Sequence, residues 1–77
     1  MASLVAALNT EFTPAVGDFI VSVTGSHATL MRKNSSSTAF AVVETGITGA
    51  KVCSNPIAGA VYKFTSNGGT ATVQADQ

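Results

Sequence analysis

Asp18-Phe-Ile-Val-Ser-Val-Thr-Gly-Ser-His-Ala-Thr-Leu-Met-Arg-Lys33 is the stretch whose reading decides the fold. Phe19, Val21 and Val23 alternate with Ile20 and Ser22, the period-two pattern of a strand with one buried face. Thr24-Gly25-Ser26 has the composition of a hairpin turn. Ala28–Lys33 then reads as a second strand, with Ala28 and Leu30 on one face and Thr29, Met31 and Lys33 on the other.

The same rhythm continues downstream. Asn34–Thr38 is a polar loop, and Ala39–Glu44 is a strand in which Phe40 and Val42 share a face. Glycines 46 and 49 flank Ile47 before a short strand at Ala50–Cys53, which Ser54-Asn55-Pro56 interrupts because Pro has no N–H for a sheet ladder. Ala60–Thr65 is a further strand, Asn67-Gly68-Gly69 turns the chain, and Thr70–Gln74 closes it. Short strands at roughly ten-residue intervals, separated by turn signals, predict an all-β fold. We expect a small antiparallel β-sandwich, jelly-roll-like or barrel-like, of about six to seven strands. Phe19, Val21, Leu30, Phe40, Val42 and Phe64 are its expected core.

Upstream, residues 1–17 have a different character. Leu4, Val5 and Leu8 sit at helix-compatible spacing over about two turns, too short for a stable isolated helix, and an extended arm or edge strand fits equally. Thr13-Pro14 and Gly17 break the chain before the β region. The division is therefore an N-terminal arm, 1–17, and a β-domain, 18–77. Leu4, Val5, Leu8 and Phe12 are many apolar residues for a solvated tail, and they are the expected partner interface.

Composition narrows the function classes. Four acidic and four basic residues give a net charge of zero, and only 10% of the chain is charged. Nucleic-acid binding needs several clustered cations, and Arg32-Lys33 is the one adjacent basic pair, so no nucleic-acid partner is expected. The apolar run ending at Leu8 lacks a positive flank and is short for a signal sequence, and no stretch approaches a membrane span. The expected setting is a soluble protein made in the cytoplasm, without a membrane partner. A chain of 77 residues buries only about 60% of its unfolded surface and usually needs a staple. One Cys cannot make an internal disulfide, and one Cys with one His cannot complete a zinc site. Oligomerisation, or docking on a larger body, is the staple that remains.

Candidate chemistry is sparse. Glu11, Asp18, Glu44 and Asp76 lie in separate segments, as do His27 and Cys53, so no catalytic, metal or cofactor-binding residues are assigned and no cofactor is expected. His27 reads as an exposed turn residue, and Cys53 as a partly buried, inert thiol despite Lys51 two positions away. Ser35–Ser37 has none of the spacing of a hydrolase nucleophile. Asn34-Ser35-Ser36 matches a glycosylation sequon but has no meaning without export. Tyr62 and Phe64 could stack sugars or bases, but core packing is the stronger reading.

The order of the pieces from 18 to 77 resembles a family of small bacteriophage virion proteins with a β-sandwich fold. It rests on the strand Ala28–Lys33 with its basic end, the polar turn 34–38, the aromatic-containing strand Ala39–Glu44, Ala50–Cys53, the Asn55-Pro56 break, Gly59-Ala-Val-Tyr-Lys-Phe64, and the terminal strand Thr70–Gln77. Residues 1–17 have no counterpart, and Phe40 stands where the family often has Trp. The resemblance implies a non-enzymatic role, mostly decorating or cementing capsids, with some members in tails or fibres. We expect a structural protein bound to the capsid exterior as a homotrimer, with the major capsid protein as partner and the virion surface as location. The alternative is a carbohydrate- or receptor-binding β-module of a tail or fibre. An exposed aromatic pair beside a polar groove would favour the alternative.

Overall fold

The computed structural model describes residues 2–35 and 39–77. Among these residues there are five strands and no helix: β1 (Ser3–Val5), β2 (Gly17–Lys33), β3 (Ala41–Asn55), β4 (Val61–Ser66) and β5 (Ala71–Asp76). All pair antiparallel in one sheet. The expected class, all-β and antiparallel, is what is found, with five strands in place of six or seven. Part of the polar loop expected at 34–38, residues 36–38, lies outside the described residues.

The decisive stretch forms one long strand. β2 pairs along its length with β3 on one edge; on the other it meets β5 from Ile20 to Gly25 and β4 from Ala28 to Lys33. Straight, 17 residues of strand would span about 56 Å, yet the longest dimension of the whole molecule is 30 Å. The strand is therefore sharply bent. The bend lies where a hairpin was expected, at Thr24–His27, and there the pairing with β3 shifts register between Val23 and Ala28.

Gly25 permits the bend. Its φ of +84° belongs to the left-handed region, and a Cβ there would stand 2.8 Å from the Thr70 carbonyl oxygen. The Ser26 N–H donates to that same oxygen, the Ser26 hydroxyl donates to the Gly68 carbonyl, and the Asn67 N–H donates to the His27 carbonyl. Residues 67–70 thus do not reverse the chain. They are an excursion between two strands that run in the same direction along β2.

Ala28 lies five positions after Val23, an odd step, so the alternation changes parity across the bend and both halves keep an apolar inner face. Phe19, Val21 and Val23 supply one half and Ala28 and Leu30 the other, joined by Tyr62 and Phe64 of β4 and by Ala71, Val73 and Ala75 of β5; all are buried. The halves face each other. The rings of Phe19 and Tyr62 meet edge to face at 5.3 Å, although Tyr62 pairs with Arg32, roughly 40 Å from Phe19 along a straight strand.

Residues 2–17, expected as a separate arm, are built into this fold. β1 pairs with β5, joining Ser3 to Asp76. The Asn9 N–H donates to the Phe64 carbonyl, and Phe12 and Tyr62 exchange backbone hydrogen bonds of 2.9 and 2.8 Å. Residues 2–12 thereby cover the outer edges of β5 and β4. Phe12 enters the core between Phe19, Tyr62 and Phe64, with ring centroids at 6.0, 5.8 and 5.8 Å.

Candidate functional site

The residues expected to meet a neighbouring subunit are placed within the chain's own domain. Val5 and Phe12 are in the core, and Leu4 and Leu8 pack against it half-buried. The segment carries backbone donors that the sheet edge can use, so its apolar side chains fold inward beside the strand they pair with. Their burial needs no second chain.

With β4 and β5 covered, the long free edge of the sheet is the outer side of β3, which has no strand beyond it among the described residues; three-residue β1 is the short edge at the other end of the order. β3 follows the bend of β2, with Gly49 at φ +77° in the turn. Glu44 pairs with Leu30 and Lys51 with Val21, so both charged side chains stand on the inner face at the rim of the fold. Their ammonium and carboxylate groups meet at 3.1 Å, closing the mouth of the bent sheet. At about 40% exposure on each side, this pair is worth at most about 1 kcal/mol. Inward-pointing charge and a bend are two devices by which edge strands avoid indiscriminate pairing.

Apolar side chains are nevertheless exposed along this edge: Val42, Val43 and Val52 are 55%, 46% and 62% accessible. Val42 was expected in the core. It lies outside because β3 has a strand on one side only and Val42 pairs with Met31, on the outer face of β2. Phe40 is likewise not a core residue. Half-buried, its ring is approached by the Lys33 and Lys63 ammonium groups at 4.9 and 4.3 Å.

Three of the four basic residues gather at this end of the molecule. Glu11 approaches Lys33 at 3.9 Å, whereas Lys63 and Arg32 make no ion pair among the described residues. Next to them Arg32, Asn34, Ala39, Ala41, Val42 and Val43 line an open concavity of about 380 Å³. The carboxylates Asp18 and Asp76 lie elsewhere, on the outer face of the other half of the sheet: Asp76 pairs with Ile20, and Asp18 precedes Ile20 by two.

His27 is exposed at the bend of β2, and among the described residues no group of three or more His, Cys, Asp or Glu is arranged to hold a metal ion. Cys53 is half-buried opposite Phe19. Burial pushes its thiol above the ordinary cysteine range; Lys51 opposes that and Glu44 adds to it. Tyr62 and Phe64, the pair with sugar-stacking potential, are 1% and 0% exposed.

A buried polar cluster that the sequence does not signal lies at the end of β3. Buried Asn55 donates through Nδ2 to the Pro14 carbonyl at 3.0 Å, while its Oδ1 accepts from the Tyr62 hydroxyl at 3.1 Å and the Ile57 N–H at 3.3 Å. In the sequence Asn55-Pro56 signals only a strand end. Comparison with family models, curated proteins and solved structures gave no match for this chain.

Proposed function

We propose that this protein is a non-enzymatic structural subunit that works by assembly, and that the body it assembles on is a phage capsid, which it decorates or cements from outside as a trimer. The observation that carries the assembly reading is the outer edge of β3: a fifteen-residue strand paired with β2 on one side and with no strand on the other among the described residues, rimmed by exposed Val42, Val43 and Val52. Adding a strand to such an edge satisfies main-chain donors and acceptors, and the valines give apolar contact beside it. In architecture we read the folded sheet as a small sandwich whose two layers are halves of one sheet. The resemblance of 18–77 to small virion β-sandwich proteins supplies the capsid and its major protein as the partner.

The alternative, a sugar- or receptor-binding module of a tail or fibre, has less support. Its natural platform, Tyr62 with Phe64, is interior. Immunogold labelling of virions with antibody to this chain tests the proposal. Label distributed over the capsid supports decoration, label at tail or fibre tips favours the alternative, and unlabelled virions overturn the virion assignment.

A further inference from the structure

Folding one sheet over on itself gives the molecule two outer faces that point in opposite directions, and the charges are divided between them. On the first half, Asp18, Ile20, Thr24, Thr72 and Asp76 alternate outward from the buried Phe19, Val21, Val23, Val73 and Ala75. Ile20 and Val52 are cross-strand partners there and stay 40% and 62% exposed. The Asp18 carboxylate makes no hydrogen bond or ion pair among the described residues, and Asp76 has only the Gln74 amide, which donates to it at 2.8 Å. This face is an apolar pair with two carboxylates and no cation among the described residues.

The opposite face has the converse arrangement. Met31, Lys33 and Lys63 alternate outward from buried Leu30, Tyr62 and Phe64, and both ammonium groups lie over the Phe40 ring. Exposed Val42, the partner of Met31, extends the apolar part. Glu11 offsets Lys33 in part at 3.9 Å; no carboxylate reaches Lys63 among the described residues.

We propose that these faces bind each other: the partner for the Lys33–Phe40–Lys63 face is the Asp18–Ile20–Val52–Asp76 face of a second copy of this chain. The argument is complementarity. A cationic rim around Phe40 and Val42 meets an anionic rim around Ile20 and Val52, while like faces would set like charges against each other. Such a contact is head to tail. Each pair leaves one free face of each kind, so association continues past the dimer, closing into a ring only where the geometry turns. The proposal rests on the multi-copy part of the assembly reading and not on its trimer, since faces that point in opposite directions stack into an open series.

Sedimentation velocity of the full chain in low and high salt, over a wide range of concentration, is the test. We expect the average mass to rise with concentration beyond that of a dimer, and to fall towards the monomer as salt screens the charges. Lys63→Glu and Asp18→Lys should each weaken association about tenfold, and combining them in one chain should recover most of the loss, since the charges are then exchanged. Circular dichroism shows that each variant keeps its fold. A chain that stays monomeric throughout overturns the proposal. So does an oligomer indifferent to salt and to both reversals, which would place the contact elsewhere, with the β3 edge the first alternative. Self-association is measured without any particle, so failed virion labelling and failed stacking are separate results.

Discussion

Asn55 at the end of β3 and Tyr62 near the start of β4 are tied side chain to side chain, the Tyr62 hydroxyl donating to Asn55 Oδ1 at 3.1 Å inside the protein. Because Asn55 pairs near Gly17 and Tyr62 with Arg32, this bond joins the two ends of the bent strand. Asn55→Ala removes the amide that also holds Pro14, and should cost about 1–3 kcal/mol by stranding buried polar groups. Tyr62→Phe leaves Oδ1 its Ile57 partner, and should cost about 0.5–1.5 kcal/mol. Urea denaturation of the two single variants and the double variant measures both costs and their coupling.

Phe12→Ala should cost about 3–5 kcal/mol, since the ring packs against three other core aromatics. For the same reason, deleting residues 2–12 should unfold the protein, in place of leaving 18–77 folded as the sequence suggests. Thermal melts followed by circular dichroism decide this. A cooperative melt of the truncated chain near the full-length temperature would mean that Phe12 adds little.

Gly25→Ala should destabilise by about 1–3 kcal/mol. Its Cβ would meet the Thr70 carbonyl, which is backbone and held by the Ser26 N–H, so the neighbour has little room to yield. Denaturant titration reads the loss directly; a neutral substitution would show that the bend can reform around a side chain.

Phe40→Ala should cost much less than a core aromatic, about 0.5–1 kcal/mol, because the ring is half-buried and its partners are two lysines. A loss of 3 kcal/mol or more in denaturant would mean that the ring is interior.

Cys53 should alkylate slowly at neutral pH. Its thiol is held above the ordinary range by burial, so the reactive thiolate is scarce until the solution is alkaline. The linkage has a definite sign. Where the unfolded thiol ionises and the folded one does not, the unfolded state gains stability, so rising pH above the ordinary thiol range weakens the fold and lower pH leaves it unaffected. Iodoacetamide labelling against pH, beside denaturation of wild type and Cys53→Ala, checks both statements. Labelling at neutral pH as fast as a free thiol would contradict them.

What the sequence made legible was the alternation within each short run, and what it hid was how the runs are joined. Phe19, Val21, Leu30 and Phe64 are in the core as expected. Thr24-Gly25-Ser26 suits a hairpin, yet here it bends one strand, because a turn and a strand bend both call for a residue free to take positive φ. Phe40 and Val42 misled because hydrophobicity does not reveal that a strand will have a neighbour on only one side. The placement of Phe12 depends on a distant partner, Tyr62, which local pattern cannot supply. The charged faces were invisible for the same reason: Asp18 and Asp76 are remote in sequence and become neighbours only through the register of β2 and β5.

The pairing of Ser3 with Asp76 also bears on the order in which the protein can form. A strand whose partner lies at the far end of the chain must wait for one of the largest loops the molecule can close, and Phe12, which depends on Tyr62, waits nearly as long. β2 and β3 form an antiparallel pair adjacent in sequence and can associate early; β4, β5 and residues 2–12 then settle onto it. Folding should accordingly be slow for so small a domain, as is usual when contacts are distant in sequence. During synthesis, β1 stays without its partner until β5 has left the ribosome.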